Sequence, residues 1–410
     1  MNARGVLAAG LVLVLAATVA RAAPGPAERL RLQARADALV ESREQARRGE
    51  TDASRLVPQF LAFTDTLEAA GMDSLASLML YRAGGLSGRL ARDAEAEAHL
   101  RRSLHLAIRA RDEGMQIRSR ILLASQLINR SPEQAIELLL GVEPLCIRRK
   151  NWIDLSLARG TLSSAYGTLG RLSEAQRAAR GALEAAKRSK RDVPLAEAHT
   201  GLGQMLLASG RTREALVHAD SGLAAARRFG TSLQLAVALS LRARALMAND
   251  RSAEALAMFR EALHVDRIRG DRQHLMRTRL ALGSYYWETG DNARALAQAD
   301  SAREDAIRAR NRLLESRSIA LLALSLANLG RITEAETTLA RAIPRFEGVR
   351  EGIGSAESQA GLSIRGGEMY ATWARCLTHR AARSKRGAQP TAAAPGPCAN
   401  SSPMTTHSHH

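Results

Sequence analysis

The sequence is poor in aromatic residues, in lysine and in cysteine. Phe, Tyr and Trp make up 3% of its 410 residues, although apolar residues together reach 46%. An interior built from Ala and Leu suits helices, because sheets draw on β-branched and aromatic side chains. So few rings also leave no stacking platforms for nucleic acid, and no DNA- or RNA-binding motif is present. Cys146, Cys376 and Cys398 include no close pair, which excludes a CxxC metal site. There is no Walker loop, GxSxG or HExxH to carry phosphate, acyl or zinc chemistry. The apolar run Val6–Ala17 is too short to span a bilayer comfortably, and no other apolar stretch is long enough to be transmembrane. Lys150, Lys187, Lys190 and Lys385 are the only lysines, so the net charge of +18 is carried by arginine. That charge leaves two readings open: a surface for anionic lipid or glycan, or a biased composition spread over solvated helix faces. The arginines are dispersed along the chain, as the second reading requires.

What the sequence has in abundance is a period. Alanine recurs every forty residues at Ala135, Ala175, Ala215, Ala255, Ala295 and Ala335. Five positions before each stands a turn residue: Arg130, Gly170, Gly210, Asp250, Gly290 and Gly330. A fixed period of this size signals a stacked repeat array. Within one unit, Leu162, Tyr166 and Leu169 share a helix face before Gly170. Ala175, Ala179, Ala182, Leu183 and Ala186 share a face of the helix that follows. Small residues there let two helix backbones approach closely. Ser173, Glu214, Glu254 and Glu334 put polar or acidic groups in the first turn of the second helix, where the dipole favours them.

The pattern resembles the tetratricopeptide repeat. The Leu-small pair is Leu162-Ser163, Leu202-Gly203, Leu282-Gly283 and Leu322-Ala323, with Tyr166 and Tyr286 at the aromatic position. The later small residues are Ala182, Gly222, Ala262, Ala302 and Ala342. Arg242 departs from the pattern, and the early Trp and late Pro are missing. Six residues beyond the usual thirty-four add roughly 9 Å of helix per unit. Units of this length occur in the kinesin-light-chain-like and bacterial-regulator-like branches of the family. The resemblance implies an all-α fold, a right-handed superhelical solenoid of antiparallel helix pairs. It implies little about function, which lives in sites rather than folds.

In chain order, residues 1–23 read as a signal peptide. Arg4 is the charged region, Val6–Ala17 the apolar one and Ala20-Arg21-Ala22 the cleavage motif. An uncleaved anchor is the alternative. Residues 24–111 read as capping helices and degenerate repeats, with helix breaks at Gly71 and at Gly84-Gly85 and Gly88. The regular array covers 112–348, a closing helix pair 349–383 and a disordered tail 384–410. Cys146 matches Ala186 and Ala226 of later units and reads as a buried apolar residue. Cys376 and Cys398 have the option of pairing in an oxidising compartment. Cys376 and His379 lack an oxyanion donor and an orienting carboxylate. His199, His218, His264 and His274 fall at different places in their repeats and make no ligand set with helical spacing.

No catalytic residue, metal site or cofactor is therefore expected. The expected function is that of an exported, non-enzymatic scaffold that binds a peptide or protein in a concave groove. Two alternatives stand beside it. One is association with an anionic membrane or glycan. The other is kinship with repeat proteins that carry a C-terminal peptidase domain, which Ser355–Arg383 resembles the approach to. The family resemblance implies that first helices line the groove, at positions eighteen, eleven, eight and seven before the repeating alanine. The candidate contact residues are Gln204, Arg244, Met247, Arg277, Trp287, Glu288, Arg317 and Asn328. Thr200, Gln204, Ser240 and Ser284 stand where chaperone-binding relatives need a Lys-and-Asn clamp for a terminal carboxylate. The mixture of arginines with an aromatic suits a segment carrying apolar and acidic groups.

Overall fold

The computed structural model describes residues 24–48, 53–90, 92–229, 231–269, 272–309 and 311–351. The expected signal peptide, tail and nearly all of the closing helix pair lie outside the described residues. So do Cys376 and Cys398. Among the described residues every regular element is a helix. The chain opens with α1 (Pro26–Arg48) and α2 (Ala53–Ala69), followed by α3 (Asp73–Arg89) and α4 (Asp93–Arg109). Then come α5 (Glu113–Leu127), α6 (Pro132–Leu140), α7 (Glu143–Arg148), α8 (Trp152–Thr168) and α9 (Leu172–Ser189). The remaining pairs are α10 (Asp192–Ala208) with α11 (Thr212–Phe229), and α12 (Ser232–Met247) with α13 (Ser252–Arg269). They are followed by α14 (Arg272–Glu288) with α15 (Asn292–Arg308), and α16 (Arg312–Asn328) with α17 (Ile332–Glu351). Each helix packs on the next, which makes an all-α superhelical solenoid of antiparallel pairs.

The forty-residue alanine is the point of closest packing. Ala135, Ala175, Ala215, Ala255, Ala295 and Ala335 are all 0% exposed. The residue after each unit's leucine explains why it must be small. A Cβ on Gly203 would lie 2.8 Å from Leu241 Cδ2 of the next unit, and one on Gly283 equally close to Leu321 Cδ2. Between the helices, Gly170, Gly210, Gly290 and Gly330 take positive φ, and Asp250 does the same at 61°.

Arg130 lies in the turn between α5 and α6 as expected, without being left-handed, and Pro132 starts the next helix. Two features depart from the sequence expectation. The second helix of that unit is broken into α6 and α7, because Pro144 cannot donate to Leu140 and crowds its carbonyl. Gly84, Gly85 and Gly88 do not end a helix; α3 runs through them. Close approach explains two of them. A Cβ on Gly84 would sit 2.6 Å from Leu100 Cγ, and one on Gly88 2.8 Å from Gln126 Oε1.

The layering follows from which helices meet. First helices of neighbouring units touch one another: α3 with α5, α5 with α8, α8 with α10, and on through α12, α14 and α16. Second helices of successive units do not make comparable contact. First helices therefore form the inner, more tightly curved layer. The curvature brings the array back on itself, with α1 against α13 and α3 against α14.

Candidate binding groove

The inner helices present one stripe each to the concave side. On α10 it runs Val193, Glu197, Gly201, Gln204 and Ala208, at helical spacings of four, four, three and four. Gly201 has open space where a Cβ would stand, as does Gly160 on α8. Those two helices enclose a cleft of about 640 Å³ lined by Ile153, Leu157, Val193, Pro194 and Glu197, with Lys190, Arg191 and Asp192 at its rim. Ile153 and Leu157 are 42% and 41% exposed, so its floor is apolar and open to solvent. The sequence reading passed over this cleft. Its signal was the apolar pair Ile153 and Leu157, one turn apart on a face that should meet water.

Farther along the groove the character turns basic. Arg244, Arg277 and Arg317, on α12, α14 and α16, are exposed. Arg244 has no ion-pair or hydrogen-bond partner among the described residues. It keeps solvent access, yet surrounding protein strips enough water from it to hold its pKa below the usual arginine range; the charge of Arg317 adds to the effect. Arg277 lies close enough to Asp93 to act on its charge, near the seam where the array returns on itself. There desolvation raises the pKa of Asp93, against the opposing pull of Arg130 and Arg277.

The other expected contact residues are distributed as follows. Trp287 is half-buried and packs against the cores on both sides of α14, with its indole nitrogen buried and unpaired. Met247 packs against the cluster around Phe259. Asn328 donates to Asn292 Oδ1 at 3.1 Å, which ties it to the rim between units. Glu288 is exposed at the end of α14, and Gln204 is half-buried on the α10 stripe. The structure therefore brings Arg244 and Arg317 together, places Arg277 near Asp93, bonds Asn328 to Asn292 and packs part of Trp287 against the core.

Much of the remaining arginine is engaged in the repeat itself. Arg171–Glu174, Arg211–Glu214, Arg251–Glu254 and Arg331–Glu334 are ion pairs at the same position of successive units. Such exposed pairs add little stability but neutralise charge on the outer helices. Cys146 is buried, and desolvation pushes its thiol up to about 12, which leaves it unreactive. His199 and His218, distant in sequence, meet between α10 and α11 with their Nδ1 atoms 2.9 Å apart. Their spacing of nineteen spans the inter-helix turn, which is why no single-helix pattern reveals it. No group of three or more His, Cys, Asp or Glu side chains suited to a metal occurs among the described residues. No helix among them is long and apolar enough to cross a membrane.

Comparison with known proteins agrees with this architecture. The tetratricopeptide repeat family model matches residues 196–221, 236–261 and 276–301, three successive units. No curated protein matches the sequence. Among solved structures, a Rap protein complexed with Competence and Sporulation Factor superposes with a TM-score of 0.52 at 15% identity. The match covers 82% of this chain and 98% of that one. A Signal Transduction ATPase with Numerous Domains protein with a tetratricopeptide repeat sensor, from Pyrococcus horikoshii, gives 0.55 at 16% identity. That match covers 89% of this chain but only 54% of the ATPase, so the chain spans about half of that protein.

Proposed function

We propose that the tetratricopeptide-like repeats of this chain form a non-enzymatic scaffold whose concave groove holds a peptide or extended protein segment. The observation that carries the reading is an apolar cleft between α8 and α10 together with the unpaired Arg244 on α12 of the same inner layer. The cleft at Ile153, Leu157, Val193 and Pro194 accepts an apolar side chain. Arg244, without an ion-pair partner and beside Arg317, favours an acidic group two units farther on. The open positions at Gly160 and Gly201 leave room for a backbone to run past the inner helices. The Rap protein of the same fold, crystallised with Competence and Sporulation Factor, offers a precedent for a complex on such a solenoid.

The scaffold is proposed to act outside the cytoplasm after cleavage following Ala22 or Ala23, on the strength of the charged, apolar and Ala-x-Ala order at Arg4, Val6–Ala17 and Ala20–Ala22. Mass spectrometry of protein from the exported fraction should begin at Ala23 or Pro24, and an intact Met1 there would contradict it. For the groove, affinity capture with the wild-type chain should be compared with the Arg244→Ala, Arg317→Ala double variant. The double variant should keep its helicity and weaken retention of the partner by about 1–3 kcal/mol. Equal retention by both would rule out this basic segment as the contact surface.

A further inference from the structure

Outside the groove, the most unusual chemical juxtaposition is the histidine pair. His199 lies near the middle of α10 and His218 in the second turn of α11. The two helices cross closely because glycine stands at both contact points. A Cβ on Gly222 would meet His199 Cβ at 3.4 Å, and one on Gly203 would meet His218 Cβ at 3.5 Å. This packing sets the rings with centroids 5.2 Å apart and an interplanar angle of 37°. The two Nδ1 atoms are left 2.9 Å from each other, where one ring donates a hydrogen bond to the other, so that ring's proton must move to Nε2 for both Nδ1 atoms to face an ion. Both rings are half-buried, so an ion has access from solvent.

Two nitrogens that each lie about 2.0–2.1 Å from one ion are about 2.9–3.4 Å from each other, for bond angles between a right angle and a tetrahedron. The observed separation falls at the short end of that range. Imidazole nitrogen is a ligand favoured by zinc, copper and nickel. We propose that His199 and His218 form a two-nitrogen site for a divalent transition-metal ion, with Nδ1 of each ring as ligand and water in the remaining positions. Glu214, one turn before His218 on the same face, exerts an attractive charge on it but is engaged by Arg211. Lys187 of α9 also faces the pair, with its ammonium tied to Glu184 at 2.9 Å. The site thus has two firm ligands and open coordination, an arrangement that binds an ion reversibly.

The test is a Cu²⁺ titration of the full chain in which His407, His409 and His410 are replaced by alanine, so that the C-terminal histidines do not compete. One ion per chain should bind, and the electron paramagnetic resonance spectrum should carry hyperfine structure from two imidazole nitrogens. His199→Ala and His218→Ala should each lower the affinity by roughly tenfold or more, the scale on which disrupted metal shells respond. Unchanged binding in either folded variant would overturn the assignment. Should a variant fail to fold, the spectrum of the parent chain decides alone: fewer than two nitrogens, or no saturable site, overturns it equally.

Discussion

Arg89 donates a hydrogen bond from Nη2 to the main-chain oxygen of Arg269 at 3.0 Å, across 180 residues of chain. It joins α3 to the end of α13 at the place where the solenoid meets itself. In a linear repeat array each unit depends only on its neighbours. Here the seam couples the first units to a unit one superhelical turn later. Arg89→Ala removes a charge-assisted bond of the kind that contributes about 1.5–3 kcal/mol. The predicted result is faster amide exchange in α3 and in the last turn of α13, with the central units α8–α11 unaffected. Uniform exchange throughout the chain, unchanged from wild type, would mean that the seam carries no stability.

The repeating alanine permits a harsher test of the packing. Ala255 is 0% exposed at the contact between α12 and α13. Ala255→Arg drives a long cation into that contact and should cost several kcal/mol. Thermal unfolding should show a large loss of stability. A variant with wild-type stability would show that α13 packs in another register.

The histidine pair predicts how stability depends on pH. Desolvation by burial, with help from His218 and Lys187, lowers His199 from 6.5 to about 4. The unfolded chain therefore binds more protons than the folded one between those values, and stability rises with pH across that window. The contribution is complete above about 6.5 and is lost as pH falls toward about 4. With a chelator present, the melting temperature should decline over this interval more steeply in wild type than in His199→Asn. Parallel profiles for the two would contradict the buried neutral imidazole.

How much of this was legible in the sequence depends on whether a feature is local or spans the fold. The alanine period and the turns at Gly170, Gly210, Asp250, Gly290 and Gly330 were readable, because each is a requirement within one helix pair. Gly84 and Gly88 were misread as breakers, since a glycine tolerated for close approach looks the same as one that ends a helix. Their partners, Leu100 and Gln126, lie on other helices. The broken second helix was foreshadowed by Pro144, which an otherwise regular register obscured. On the inner helices, counting back from the alanine picked out Arg244 and Arg317, which lie near enough to influence each other. It had no means of showing that Arg277 lies near Asp93 or that Asn328 bonds Asn292, because those contacts depend on superhelical curvature. The same limit hid His199 from His218.

Trp287 illustrates the difference between a groove residue and a core residue at the same repeat position. Its contacts on both sides of α14 predict that Trp287→Ala will lower stability by about 2 kcal/mol, less than the cost for a fully buried ring. Denaturant unfolding measures this directly. A loss below about 0.5 kcal/mol, the range of ordinary surface substitutions, would return Trp287 to the list of free contact residues.

The central claim is that the inner face between α8 and α16 holds a peptide. Gly201 offers the cleanest probe, because the space beside it is empty and leucine favours a helix more than glycine does. Gly201→Leu should leave the fold at least as stable while placing a side chain in the path of the ligand. The decisive measurement is selection from a random peptide library on the wild-type chain, followed by titration of the selected peptides against Gly201→Leu. Peptides with an apolar anchor and separate acidic residues should be enriched, and their affinity for Gly201→Leu should fall about tenfold or more. Enrichment of basic or featureless peptides, or equal affinity for the two chains, would contradict the account.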